Sequence, residues 1–167
     1  MAKSDQGVAI DRYSVIPRTL IFITQGKDVL LIKGAATKRL WANRYNGLGG
    51  HIERGENVLH AAQRELQEEA GITAEPLNLV GTVLVDASEN KGICIFIFKG
   101  EYQGGEIIQS QEGTLEWVSL EGLEALPLVE DLKVLLPRVI SWKPGNQPFF
   151  ARSFYDQDDQ LRVEFGG

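Results

Sequence analysis

Cysteine is almost missing from this chain. Cys94 is the only one in 167 residues, so no intrachain disulfide can form, and a reducing setting such as the cytoplasm is expected. It stands in the run Ile93-Cys94-Ile95-Phe96-Ile97-Phe98, which predicts a buried, inert thiol. Histidine is as scarce: His51 and His60 are the only two, and both are expected at the surface or behind a site. No apolar stretch approaches the roughly 20 residues of a membrane span. The opening MAKSDQGVAIDRYS lacks the apolar centre of a signal peptide, so no membrane partner is expected. Positive charge is the minority, 17 Lys and Arg against 23 Asp and Glu, for a net charge of −6. Without a basic run, a nucleic-acid polymer is not the expected partner. Internal repeats, low-complexity tracts and linkers are absent too, so residues 1–167 read as one domain.

What is present is a mixture of short strands and helices. Ser14 to Thr24 is apolar and β-branched, a strand that Pro17 should interrupt, and it forms a hairpin with Val29 to Lys33 across Lys27-Asp28. Gly34 to Asn46 reads as a polar loop carrying Trp41 and Tyr45. Leu77 to Val85 and Gly92 to Tyr102 read as paired strands, the second apolar on both faces as an internal strand would be. Glu116 to Ser119 is extended, Leu120 to Leu126 is a helical turn, and Val129 to Ile140 is a helix. Phe149 to Tyr155 and Leu161 to Phe165 close the chain as a hairpin. Such intermixing predicts an α/β fold with a mixed sheet flanked by helices.

The segment from Asn57 to Ala70 contains neither Pro nor Gly and is rich in good helix formers, with Gly55 before it and Gly71 in the position of a left-handed cap. Leu59, Ala62, Leu66 and Ala70 form the stripe expected to pack on a sheet. Glu65, Glu68 and Glu69 gather on a neighbouring face, where their charges repel and only Arg64 is a local counter-charge. A solvated helix face gains nothing from that arrangement. Gly47-Leu48-Gly49-Gly50 leads in just upstream, and glycines let backbone groups approach an ion or a phosphate closely. Carboxylates, a glycine loop and a hard divalent cation together suit attack of water on a diphosphate. A small nucleotide arriving with the cation fits an acidic protein, because the metal supplies the positive charge.

Gly50, Glu56, Arg64-Glu65-Leu66-Gln67-Glu68-Glu69-Ala70-Gly71-Ile72 is similar, position for position, to the signature of the MutT/Nudix family, G-x5-E-x7-R-E-U-x-E-E-x-G-U with U aliphatic. A chance match at one start site is roughly one in a billion, taking each fixed residue at about one position in twenty. The resemblance, with its box at residues 50–72, implies the Nudix α/β/α sandwich and a Mg²⁺-dependent hydrolase, with Mn²⁺ as the other candidate ion. It implies Glu65, Glu68, Glu69 and the Gly50 carbonyl as metal ligands, Arg64 orienting the carboxylates, and Glu56 standing behind them. Glu112, five residues before Trp117, takes the place of a further acidic residue from a loop beyond the box. Which glutamate is the general base is open.

The stretch from Trp41 to Glu53 resembles the W-N-G-F-G-G-K-V segment of the oxidised-purine nucleoside triphosphatase branch, which implies base recognition by Asn46. That branch carries a Trp followed by paired acids. Here the acids are Glu130 and Asp131, and Leu128 stands in place of the Trp, which leaves Trp41 and Tyr45 as stacking candidates. The implied activity is hydrolysis of an oxidised or ordinary purine triphosphate to monophosphate and pyrophosphate, by a monomer or homodimer. The alternatives are another nucleoside diphosphate derivative (ADP-ribose, a nucleotide-sugar, a dinucleoside polyphosphate) and a nucleotide sensor without turnover.

Overall fold

The computed structural model describes residues 6–7, 11–37, 39–109 and 111–166. Most of the opening segment read above, residues 1–5 and 8–10, lies outside the described residues, as do Lys38, Ser110 and Gly167. In chain order the elements are β1 (Ser14–Gln25), β2 (Asp28–Gly34), β3 (Tyr45–Asn46), α1 (Val58–Ala70), β4 (Asn78–Asp86), β5 (Lys91–Glu101) and β6 (Gly113–Ser119). A 3₁₀ helix (Leu120–Ala125), α2 (Leu132–Ser141), β7 (Phe149–Tyr155) and β8 (Leu161–Gly166) follow.

Alternation along the strands builds two cores on one sheet. Ile21, Ile23, Leu30 and Ile32 point to the side where Ala62, Leu66 and Ala70 of α1 pack. Phe22, Val29 and Leu31 point to the other side, against Leu132, Leu135, Leu136 and Val139 of α2. Helices therefore cover a central sheet from both faces, the expected α/β/α layering. The strands run in the order β3-β2-β1-β5-β4-β7-β8, with β6 on β2. β1–β5 and β4–β7 are parallel and the remaining pairs antiparallel, so the sheet is mixed. Among the described residues no helix is long and apolar enough to cross a membrane.

Some local expectations change. Pro17 does not interrupt β1, which runs unbroken in register with β5 from Ser14↔Lys91 to Thr24↔Glu101; the Pro17 carbonyl still accepts from Ile52 N–H at 3.1 Å. Val58, Ala62, Leu66 and Ala70 make the strict i, i+4 row of α1, and Leu59 falls outside it, 38% exposed. The helix is capped by Asn57, whose side chain accepts from His60 N–H, and by Gly71 at φ 69°. α2 begins at Leu132 and not Val129, because Tyr45 draws the preceding strand-like segment onto β3: Tyr45 N–H donates to Pro127 O and Val129 N–H to Tyr45 O. Cys94 is half-buried, and burial pushes its thiol up from its ordinary value.

One irregularity positions everything that follows. β1 and β2 stay in register for only three positions, Ile23↔Leu30, Thr24↔Val29 and Gln25↔Asp28, and then splay apart. Residues 45–52 fill the gap. Tyr45 and Asn46 pair with β2, and the glycine segment then lies antiparallel along β1 through Ile21↔Leu48 and Arg18↔His51. Thr19 N–H donates to Gly50 O at 2.9 Å and Ile21 N–H to Leu48 O at 2.7 Å.

Candidate active site

The rows of α1 grade the burial of its acids. Next to the apolar row lies Ala61-Glu65-Glu69, and beyond it His60-Arg64-Glu68. Side-chain exposure is accordingly 13% at Glu65 and 60% at Glu68, while Glu69 as a residue is 9% exposed. Glu69 Oε2 accepts the Gly49 N–H at 2.7 Å, which joins helix and glycine segment. Gly50 sits so close to Glu65 that a Cβ there would lie 2.5 Å from its carboxylate oxygen.

Arg64 gathers the rest. Its Nε donates to Glu56 Oε1 at 2.6 Å, and Nη1 donates to Glu65 Oε1 at 2.9 Å and to Glu68 Oε2 at 3.0 Å. Nη2 reaches Glu56 Oε2 and the His51 carbonyl, both at 3.0 Å. These bonds, the one to Glu56 first, hold the guanidinium well above its ordinary value. In return Arg64, followed by the Glu53 N–H, lowers the Glu56 carboxyl from 4.5 to about 2. Because the folded-state value is depressed, this pair contributes stability above pH 4.5 and loses it as pH falls towards 2. The Tm difference between wild type and Glu56→Gln is therefore expected to shrink steadily across that window in a calorimetric series. A difference that stays constant from pH 6 to 2.5 would remove Glu56 from the linkage.

One cavity of about 550 Å³ opens beside this array. Its lining takes in Glu65, Glu68, Glu69 and Gly50 from the box, Glu112 from the turn before β6, and Asn46 and Asp131. Residues far apart in sequence thus share one space. Leu20, Val85, Ile93 and Ile95 give it an apolar wall. Glu130 is exposed and is not part of the lining, and Glu56 stands behind it, on Arg64. The two aromatic candidates separate: Trp41, 48% exposed, lines the cavity, whereas Tyr45 is buried in the α2-side core with its hydroxyl donating to Glu116 at 2.6 Å. Leu128 is buried in that same core. Sequence reading missed Arg18, Thr19 and the apolar wall, since no spacing rule marks which strand residues will meet a distant loop.

Two polar details bear on ligand chemistry. Asn46 Oδ1 accepts the Gly47 N–H at 2.9 Å, so the backbone orients the amide, and its amino group and the remaining lone pair of its oxygen are what it can offer. Burial pushes the Asp131 carboxyl up from its ordinary value, against hydrogen bonds from its own and the Leu132 backbone N–H. Among the described residues no three acidic, histidine or cysteine side chains converge tightly enough to make a ready cation cage. The donor chemistry nevertheless fits a hard divalent cation: carboxylate oxygens against a glycine, and a Gly50 carbonyl with one lone pair left after Thr19.

The NUDIX domain family model matches residues 16–139. The chain belongs to the Nudix family. This Nudix chain is 32% identical over 104 residues to the oxidized purine nucleoside triphosphate hydrolase of Danio rerio, covering 62% of the chain and 65% of that protein. It is 29% identical over 144 residues to the protein of the same name in Mus musculus, covering 86% and 89%. The NAD-capped RNA hydrolase NudC of Pseudomonas aeruginosa is 32% identical over 114 residues, which cover 66% of the chain and only 38% of NudC. The crystal structure of the MutT protein of Bacillus halodurans aligns with a TM-score of 0.76 at 25% identity, covering 90% and 97%. The chain shares its α/β fold with that MutT structure, and the three curated relatives are named as hydrolases.

Proposed function

We propose that residues 1–167 act as one Nudix domain that hydrolyses purine nucleoside triphosphates, oxidised ones among them, to monophosphate and pyrophosphate. The observation that carries this reading is the shared cavity, which joins Glu65, Glu68, Glu69 and Glu112 to Asn46 and Asp131 beside an apolar wall. Glu65, Glu68, Glu69 and the Gly50 carbonyl would hold Mg²⁺ or Mn²⁺. A bound divalent ion neutralises phosphate charge and lowers the pKa of water near it. Arg64 keeps Glu65 and Glu68 aligned, and Glu112 supplies a further carboxylate from the turn before β6. Asn46 donates to a purine acceptor and Asp131 meets a second polar edge, with Trp41 the ring nearest to hand. Glu130 acts by its charge beside Asp131.

The test is pyrophosphate and phosphate release with Mg²⁺ across ordinary (d)NTPs, 8-oxo-dGTP, 2-hydroxy-dATP, ADP-ribose, a nucleotide-sugar and a dinucleoside polyphosphate. A tenfold or larger kcat/KM advantage (about 1.4 kcal/mol) is expected for a purine triphosphate. With that substrate, Asn46→Ala should raise KM roughly tenfold and leave kcat nearly unchanged, the behaviour of uniform binding. Preference for a diphosphate-linked compound would keep the carboxylate chemistry and discard the base pocket. Silence across the panel would favour a sensor.

A further inference from the structure

Six carboxylates line the cavity: Glu53, Glu65, Glu68, Glu69, Glu112 and Asp131. A phosphate chain entering that field needs positive charge. Arg64 is consumed by Glu56, Glu65 and Glu68. Arg18 is the guanidinium in the lining, half-buried on β1, and among the described residues no carboxylate pairs with it. Its Nε donates to His51 Nε2 at 3.2 Å. That bond leaves both Nη groups for the cavity. A guanidinium without an anionic partner is available to an anion that binds.

Its position selects which anion. Arg18 and Leu20 share one face of β1, and the register partner of Arg18 on β5 is Ile95, so on one side it borders the apolar wall. On the other side His51 belongs to the segment carrying Gly49 and Gly50, opposite Arg18 in an antiparallel bridge. Arg18 therefore stands between Ile95 of the apolar wall and the glycine segment, whose Gly49 and Gly50 lie against Glu69 and Glu65. In a nucleotide, the group at the corresponding junction between nucleoside and phosphate chain is the phosphate attached to the sugar.

We propose that Arg18, aimed by His51, is a substrate-binding residue whose guanidinium fork grips that phosphate. A planar fork with two free nitrogens matches two phosphate oxygens. The proposal rests on the nucleotide reading above. Its test is calorimetric binding of dGMP and dAMP, the two free deoxynucleosides, and inorganic pyrophosphate, each with Mg²⁺, to wild type, Arg18→Ala and Arg18→Lys. Arg18→Ala should weaken the better monophosphate at least tenfold, with deoxynucleoside and pyrophosphate changed less than twofold. Arg18→Lys should recover part of the loss, keeping the charge but not the fork. Unchanged monophosphate affinity in Arg18→Ala overturns the proposal. So does an equal loss with the deoxynucleoside, a loss confined to pyrophosphate, or no monophosphate binding by wild type. The two readings fail separately: a wild type that turns over no triphosphate, yet binds monophosphate through Arg18, sinks the reaction alone.

Discussion

Glu69→Gln is expected to lower kcat by roughly 10²- to 10³-fold, about 3–4 kcal/mol in the barrier, while the protein stays folded. Glu69 is 9% exposed, and its Oε2 is anchored by the Gly49 N–H at 2.7 Å, so its charge is held at the seam between helix and glycine segment. Glutamine keeps an oxygen for that N–H and nearly the same volume, but removes the charge a cation would use. Replacing a charge-assisted hydrogen bond with a neutral one costs about 1 kcal/mol, equivalent to a Tm shift of about 2–4 °C in a domain of this size. Steady-state kinetics at saturating Mg²⁺ beside a thermal melt separates the two effects. An unchanged kcat would sink the metal assignment, and a collapsed melt would show that Glu69 is mainly a structural buried acid.

Gly49→Ala should act through the backbone instead. A Cβ on Gly49 would lie 2.3 Å from the Thr19 carbonyl oxygen, at φ 131°, where L side chains are strained. The segment would have to leave β1, taking with it the Gly49 N–H that anchors Glu69. We expect a loss of about 3 kcal/mol or more, together with loss of turnover. Gly55→Ala is the control: its φ is 97°, but nothing lies within 4 Å of the added Cβ, so only the conformational strain remains. Urea unfolding of both variants decides the matter. Equal stability of the two would mean that the close approach to Thr19 is relieved without cost.

Much of the α1 end of the site was legible in the sequence because its information is local. Glu65, Glu68 and Glu69 lie within one turn of each other, and helical geometry puts them on adjacent rows whatever the rest of the chain does. Gly71 as a left-handed cap is local in the same sense. The graded burial of those acids was not legible. Glu69 is enclosed because the glycine segment lies against α1, and Leu59 is left out because the packing row runs through Val58. Pro17 shows the limit from the other side: its missing N–H suggested a break, yet neighbours on both sides of β1 kept it in the strand.

The cavity belongs wholly to tertiary structure. Arg18, Asn46, Ile95, Glu112 and Asp131 come from five separate segments, and no spacing rule links them. The splay of β1 from β2 lets residues 45–52 in, and Tyr45 then draws residues 127–129 onto β3, which brings Asp131 to the same space as Asn46. Trp41 and Tyr45 looked equivalent in sequence, four residues apart in one loop, and only packing sent one to the cavity and the other into the core. By itself the sequence determined the family, the helix that bears the carboxylates and the chemistry those carboxylates suit, because each depends on residues close together along the chain. The tertiary structure alone decided which acids are enclosed and which distant side chains face them, because burial and long-range strand pairing are properties of the folded chain as a whole.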